Sequence, residues 1–302
     1  MTRFTAINLS DLAPPPVVEE LDFEAILADL KADLVKRFEN EGLDYDVAML
    51  ESDPAIKVLE VCAYREMLIR ARVNRAVKAV LLPTAQGGDL DNLGANYGAR
   101  RMLVQAADPP TVPENVWESD ERFRERIQLI IEAYAAAGPR GAYRYHAMSA
   151  HVKVKDVGVY RPRDYTGEVT VAVLSSDGDG SAAASIVEAV RLALSDDYKR
   201  PLTDVLTVKP ATIIPYTVTV KLSMAVGPDA NLLHERAAAA IQKYAADRHR
   251  VGRIIYKKAL EAAAMVAGVE DVLMTSPVGD IDPGVDGAAW CDAVNITTEV
   301  LS

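Results

Sequence analysis

The chain has 302 residues, half of them hydrophobic and a quarter charged, with 33 Lys and Arg against 44 Asp and Glu and a net charge of −11. This balance excludes a basic groove for generic nucleic-acid binding, which runs on phosphate neutralisation. Two distant cysteines, Cys62 and Cys291, make no metal-ligand spacing and no disulfide framework, which fits a reducing compartment.

Met1 to Leu12 lacks a basic region followed by an apolar core, so no secretory signal is expected. No apolar run approaches the ~20 residues of a membrane span. Residues 1–21 read as an extended arm: Phe4, Ile7, Leu9 and Leu12 are irregularly spaced, and Pro14-Pro15-Pro16 stiffens the stretch leading to residue 21. Such an arm is either a disordered leader or a segment that docks on a neighbour.

Residues 22–40 predict an amphipathic helix, with Phe23, Ile26, Leu27, Leu30, Leu34 and Phe38 on one stripe, Asp22 as cap and Gly42 past its end. An acidic loop follows, with Asp44, Asp46, Glu51 and Asp53. Pro54 opens a second helix running to Leu82, with Pro83 as its stop. On this helix Cys62, Ile69, Val73, Ala76 and Val80 share one direction, and Ile56, Leu59, Ala63, Met67, Val77 and Leu81 fill the adjacent sector. The apolar arc is wider than one neighbour needs, which predicts a helix bundle. Inside the arc Glu66, Arg70 and Asn74 form a ladder at i, i+4 and i+8. The ladder is either a half-exposed ion pair at the edge of the core or a polar insert that fixes register between helices. Its position within the arc points to the second reading.

A short helix starts at Gly87-Gly88-Asp89-Leu90 and ends near Gly98, and residues 105–118, with Pro109, Pro110 and Pro113, read as a linker. Ser119 caps a helix whose buried side is expected at Phe123, Ile127, Ile130, Ile131 and Tyr134, and Ala142 to His151 follow as another helix. From Val152 the period changes to two. Strands are expected at Val154–Tyr160, Glu168–Leu174, after Pro201, at Tyr216–Met224, at Val269–Met274 and at Val294–Val300. Helices between them cover Ala182–Asp197, Ala230–Arg248 and Tyr256–Ala267. The clean alternation of Tyr216, Val218, Val220, Leu222 and Met224 with polar residues predicts a sheet with one wet face, of antiparallel type. The helix from Tyr143 into Val154-Lys155-Asp156-Val157 parallels the helix from Tyr256 into Val269-Glu270-Asp271-Val272, either by chance or as two related units. The expected class is α+β: a helical N-terminal arm and bundle region, then two small α+β domains with mixed or antiparallel sheets. The boundaries fall at 1–21 (arm), 22–104 (bundle region), 105–118 (linker), 119–210 (central domain) and 211–302 (C-terminal domain).

Catalytic signatures are sparse. His146 and His151 are five apart and do not share a helix face, and His234-Glu235 lacks the second histidine of a zinc protease. The loop Asp177–Ser181 matches a loose dinucleotide fingerprint, Gly178-x-Gly180-x-x-Ala183, but its two carboxylates would repel a pyrophosphate. Asp177, Asp179, Ser181 and Glu188 partly match a calcium loop, with Ala182 where Gly is required. The plainer reading is a strand-to-helix turn with Ser181 as N-cap. A metal- or nucleotide-dependent enzyme using residues 177–188 is therefore the alternative to a structural role.

Several strings in order carry a family resemblance. They are Glu51-Ser52-Asp53-Pro54, Ala63-Tyr64-Arg65-Glu66, Arg70, Asn74-Arg75-Ala76 and Asp89-Leu90-Asp91-Asn92-Leu93, then Glu118-Ser119-Asp120-Glu121-Arg122-Phe123-Arg124-Glu125-Arg126, Gly138-Pro139 with Tyr143, the run ending at Val157, and Arg200-Pro201-Leu202-Thr203-Asp204. Over about residues 10–300 the chain resembles the baseplate J family, wedge proteins of contractile phage tails and tail-like particles such as R-type pyocins. The resemblance implies a non-enzymatic subunit without cofactor or metal. Two J-type copies and one I-type subunit would form a wedge through an N-terminal helix bundle, which also receives the lysozyme-like sheath-initiator protein. Six wedges would ring the hub and spike proteins, with C-terminal domains linking neighbouring wedges. Nucleic acid and a membrane span are not expected, and the location implied is the particle's baseplate, assembled in the bacterial cytoplasm. The interface residues expected on the long helix are Cys62, Glu66, Ile69, Arg70, Val73 and Asn74, with the 105–118 linker as hinge between two environments of the same chain.

Overall fold

The computed structural model describes residues 9, 12–13, 15–43, 52–108, 111–134, 138–163, 166–196, 200–201, 203–224 and 230–300. Phe4, Ile7, Pro14, Asp44, Asp46, Glu51, Pro109, Pro110, Asp197 and Leu202 lie outside these described residues. The chain forms two compact units, Ile7–Arg100 and Arg101–Ser302.

In the first unit, α1 (Phe23–Asn40) begins at Asp22, whose carboxylate accepts from the amides of Glu24 and Ala25 at 2.9 and 3.2 Å. Those bonds satisfy donors that a helix start leaves open. Helix α2 (Pro54–Ala79) is capped by Asp53 and carries proline at its first position, where no amide is needed. It stops at Ala79, short of Leu82. Pro83 disfavours helical backbone just before it, and the amides of Thr84 and Ala85 fold back onto the Leu81 carbonyl. Helix α3 (Gly87–Asn96) follows. Ile26, Leu27 and Ala63 form a small core, with Phe23, Leu30, Leu59 and Met67 packed around it.

The second unit opens with β1 (Leu103–Gln105) and β2 (Val116–Trp117), which pair antiparallel. Residues 105–118 are therefore a hairpin rather than an open spacer. Its two ends are drawn together, and the amide of Glu118 donates to the Met102 carbonyl at 2.9 Å. Inside the loop, Asn115 accepts from the Ala107 amide at 2.8 Å.

Next come α4 (Asp120–Ala133), α5 (Arg140–Ala150), β3 (Val154–Tyr160), β4 (Glu168–Ser175), α6 (Ala184–Leu194) and β5 (Val205–Pro210). The sheet order is β3-β4-β5, with β3 antiparallel and β5 parallel to β4. A parallel neighbour needs a long crossover, which α6 supplies. Strand β4 is buried along nearly its whole length. One of its faces joins Leu129, Met148, Ile186 and Val190 through Val169, Val171 and Val173. The other face, at Ala172 and Leu174, meets Ala211 and Ala288.

The last part comprises β6 (Thr212–Met224), α7 (Ala230–Arg248), α8 (Lys257–Ala264), β7 (Val269–Ser276) and β8 (Gly287–Val300). Its sheet order is β7-β6-β8. The alternation along β6 holds: Tyr216, Val218, Val220, Leu222 and Met224 are buried, and the first four share a core with Ile241 of α7 and Leu260 of α8. The sheet is mixed rather than wholly antiparallel, because β8 returns parallel to β6 after the α7–α8–β7 excursion. The class is α+β, with helices first and mixed sheets after.

Two local expectations change. On α4, Phe123, Ile127 and Ile130 are buried, but Ile131 and Tyr134 are 63% and 70% exposed. Leu129 and Arg126 are buried instead, because a buried carboxylate, Glu118, draws Arg126 inward. Ser181 is not a cap; α6 starts two residues later, at N-cap Ala183, with no side-chain capping bond. The two runs read as a possible repeat each fold as a helix followed by a strand. Both α5–β3 and α8–β7 deliver an antiparallel edge strand. The next strands then differ: β4 takes the centre of its sheet, while β8 takes an outer place because β6 already holds the centre.

Candidate interface on helix α2

The wide apolar arc of α2 divides into two sectors. Ile56 and Ala63 are buried, and Leu59 and Met67 are half-buried in the α1–α2 core. The other sector faces outward: Cys62, Val73 and Ala76 are exposed, and Ile69 and Val80 are 64% and 66% exposed. Cys62, Ile69 and Ala76 recur every seven residues, and so do Glu66, Val73 and Val80. Two interleaved seven-residue series make the seam by which helices pair, and Glu66 is the one polar member.

The polar ladder lies beside that seam and is occupied within the chain. Arg70 donates to Glu66 Oε1 through Nε at 3.0 Å and Nη2 at 2.5 Å, and through Nη1 to Glu19 Oε2 at 3.1 Å. The first of these pairings, with Glu66, holds the guanidinium pKa above its ordinary value. Asn74 is buried. Its Oδ1 accepts from the Glu19 amide at 3.1 Å and its Nδ2 donates to the Glu19 carbonyl at 2.8 Å. Sequence reasoning missed Glu19, because a contact across 55 residues leaves no periodic trace.

The loop 177–188 uses its carboxylates for its own fold. Asp177 pairs with Lys153 at 2.7 Å. Asp179 accepts from the Ser181 amide at 2.9 Å, a bond that lowers its pKa. Glu188 forms a two-pronged pair with Arg191 at 2.6 and 2.7 Å. Among the described residues, no group of three or more His, Cys, Asp or Glu is placed to hold a metal ion.

A second set of charges lies inside the second unit. Glu118, just before α4, has a fully buried side chain. It accepts from Arg122, from Arg126 Nη1 at 2.5 Å and from the Met102 amide at 3.1 Å. Arg122 also donates to the carbonyls of Met148, His151 and Val154, at 2.6, 3.0 and 3.2 Å. Burial lowers its pKa against the pull of Glu118. The spacing Glu118-x3-Arg122-x3-Arg126 was the available sequence signal, but it reads equally as a solvated helix face. Further along, Glu125 accepts from Arg250 at 2.8 and 3.0 Å, Asp156 accepts from the Val251 amide at 2.9 Å, and Lys209 pairs with Asp286 at 2.5 Å. These bonds fasten the β3-β4-β5 part to the β7-β6-β8 part.

Three family models match the chain in order: the Baseplate J-like N-terminal domain at residues 51–108, the Baseplate J-like central domain at 135–210 and the Baseplate J-like protein C-terminal domain at 216–297. Baseplate protein J of Escherichia phage P2 is 39% identical over 296 residues, which is 97% of both chains. The chain belongs to the baseplate J family. The N-terminal match holds α2, α3 and β1, the central match holds α5 to β5, and the C-terminal match starts within β6. A chain of the anti-feeding prophage baseplate, solved by cryo-EM with six-fold symmetrisation, aligns at 15% identity and a TM-score of 0.41. That alignment covers 64% of this baseplate J chain and 48% of the other, so this chain spans about half of its length. Among the described residues, no helix is long and apolar enough to cross a membrane.

Proposed function

We propose that this baseplate J protein is a non-enzymatic wedge subunit of a contractile tail or tail-like particle. Two copies join one I-type subunit through a helix bundle made by residues 22–104. The observation that carries this reading is the outward seam of α2, where Cys62, Ile69, Val73, Ala76 and Val80 line up with nothing polar among them but Glu66. An apolar stripe with heptad spacing is stable in water once a second helix covers it. In this reading Cys62, Ile69 and Val73 supply contact area, and Glu66, Arg70 and Asn74 set register. The C-terminal domain at 211–302 links neighbouring wedges in a six-fold ring around the hub and spike. The bundle receives the lysozyme-like sheath initiator, and interface changes pass rearrangement to the sheath. The protein then resides in the particle's baseplate after assembly in the bacterial cytoplasm.

Co-expression with the product of the adjacent reading frame, followed by size exclusion with light scattering, tests this. A species with two copies of this chain and one of the neighbour is expected. Ile69→Glu together with Val73→Glu should abolish it while leaving the monomer folded. A wild-type chain that stays monomeric beside its neighbour would overturn the reading.

A further inference from the structure

Helix α2 has 26 residues and α1 has 18, so at 1.5 Å per residue α2 is longer by about 12 Å. The segment ahead of α1 runs along later turns of α2: Glu19, three residues before the cap Asp22, sits on Arg70 and Asn74. Asn74 treats Glu19 as one strand treats another, taking its amide and giving to its carbonyl. Both bonds form in only one orientation of the side-chain amide, because a donor and an acceptor are each matched. They read backbone, while Arg70 reads the carboxylate and stays tied to Glu66. Upstream, the Val18 amide donates to the Pro15 carbonyl at 2.9 Å, closing a turn. Pro15 and Pro16 fix two backbone torsions there, which reduces the entropy lost in holding the segment.

We infer that residues 15–21 are a latch on α2, closed in the free chain, and that Arg70 and Asn74 become available to a second chain only when Glu19 lets go. The inference deepens the proposed role of the ladder, but the latch itself exists or fails in the isolated chain. Each bond to a carbonyl or amide contributes modestly, and the ion pair is half in water. A closed latch with this composition is strong enough to order the strap and weak enough to exchange for a partner's groups.

Hydrogen exchange by mass spectrometry on the full chain tests closure. Peptides covering Val17–Asp22 should be protected, and Asn74→Ala should speed exchange at Glu19 by about tenfold, with circular dichroism unchanged. If Asn74→Ala loses helix, Asn74→Asp keeps the acceptor and removes the donor, and an intermediate rate is expected. Free-chain exchange in the wild type, or a rate unmoved by either variant, would overturn the latch. Glu19→Pro removes both the amide hydrogen and the carboxylate while leaving the ladder whole. In the co-expression assay it should strengthen association severalfold. Unchanged or weaker association beside a protected wild-type strap would overturn the gating role. Failure of the wild type to associate at all would count against the wedge reading and leave the latch standing.

Discussion

Replacing Glu118 by alanine should be among the most damaging single changes in the second unit. The glutamate side chain is fully buried, and those of Arg122 and Arg126 are 16% and 5% exposed. Removing the carboxylate takes the Glu118 charge away from Arg126, which stays buried beside Ser149. Breaking a buried pair from one side costs about 3–5 kcal/mol, because the uncompensated charge stays inside. In a unit of this size that corresponds to a drop in melting temperature of roughly 6–20 °C. Arg122 suffers less, since three backbone carbonyls still accept from it. Both tryptophans, Trp117 and Trp290, belong to this unit, so urea unfolding followed by tryptophan fluorescence reports it selectively. Glu121→Ala, an exposed carboxylate one turn away, is the control and should shift stability by about 0.5 kcal/mol. The pair Glu118→Leu with Arg126→Met removes both charges together and should recover most of the loss. A Glu118→Ala chain within about 1 kcal/mol of wild type would refute the reasoning that this network is sealed from water.

Two further outcomes concern single positions. On α4, Leu129→Ala should cost about 2–5 kcal/mol and Ile131→Ala about 0.5 kcal/mol or less, and equal costs in urea unfolding would mean that the helix is rotated from the orientation described. His249 is buried, donates through Nδ1 to the Ala289 carbonyl at 2.8 Å, and among the described residues has no hydrogen-bond partner for Nε2. Burial is the main cause of its lowered pKa, with Lys155 adding to it and Asp179 and Asp156 opposing. The unfolded chain therefore takes up a proton near pH 6.5 while the folded chain resists. Stability is full above that pH and falls below it, by at most about 1.4 kcal/mol per unit. His249→Asn keeps a donor for Ala289 and should flatten the slope between pH 6.5 and about 5, above the range where Asp286 and Asp179, whose pKa values are lowered, begin to titrate. An unchanged slope would show that another group sets it.

How much the sequence discloses depends on the range of the interaction. Caps at Asp22 and Ser119 were legible because a cap is decided by two or three adjacent residues. The alternation of β6 was legible because one face is wet, and period two results directly. The β4 strand, buried on both faces, left no alternation and so no hint of the second contact at Ala172 and Leu174. On α4 the pattern misled: Ile131 and Tyr134 continue the apolar spacing, yet Arg126 goes inward because Glu118 waits there. The prolines at 105–118 suggested a spacer, but proline marks a turn as readily as a tether, and here the ends pair as β1 and β2. The ladder on α2 was visible as three polar residues at helical spacing, while its partner Glu19 was not.

The two units meet the burial problem in different ways, and the difference bears on function. In the second unit, Glu118 and Arg126, eight residues apart, are enclosed together, and longer-range bonds join Glu125 to Arg250 and Asp156 to the Val251 amide. The buried Glu118–Arg126 pair is costly to break from one side, so this unit resists change within itself. The first unit has few large apolar side chains fully inside; among its described residues Ile26, Leu27, Ile56 and Leu90 are those. Its polar contacts, Arg70 with Glu19 and Glu66, stay partly in water and exchange cheaply. A helix that leaves Ile69, Val73 and Val80 outside has more to gain from another chain than from its own. Association should therefore stabilise the first unit far more than the second. Hydrogen exchange on the free chain and on the co-expressed complex separates the two: α2 amides should slow markedly on assembly while those of β4 and β6 hardly change. The reverse pattern would place the main contact surface on the second unit and remove the argument from α2.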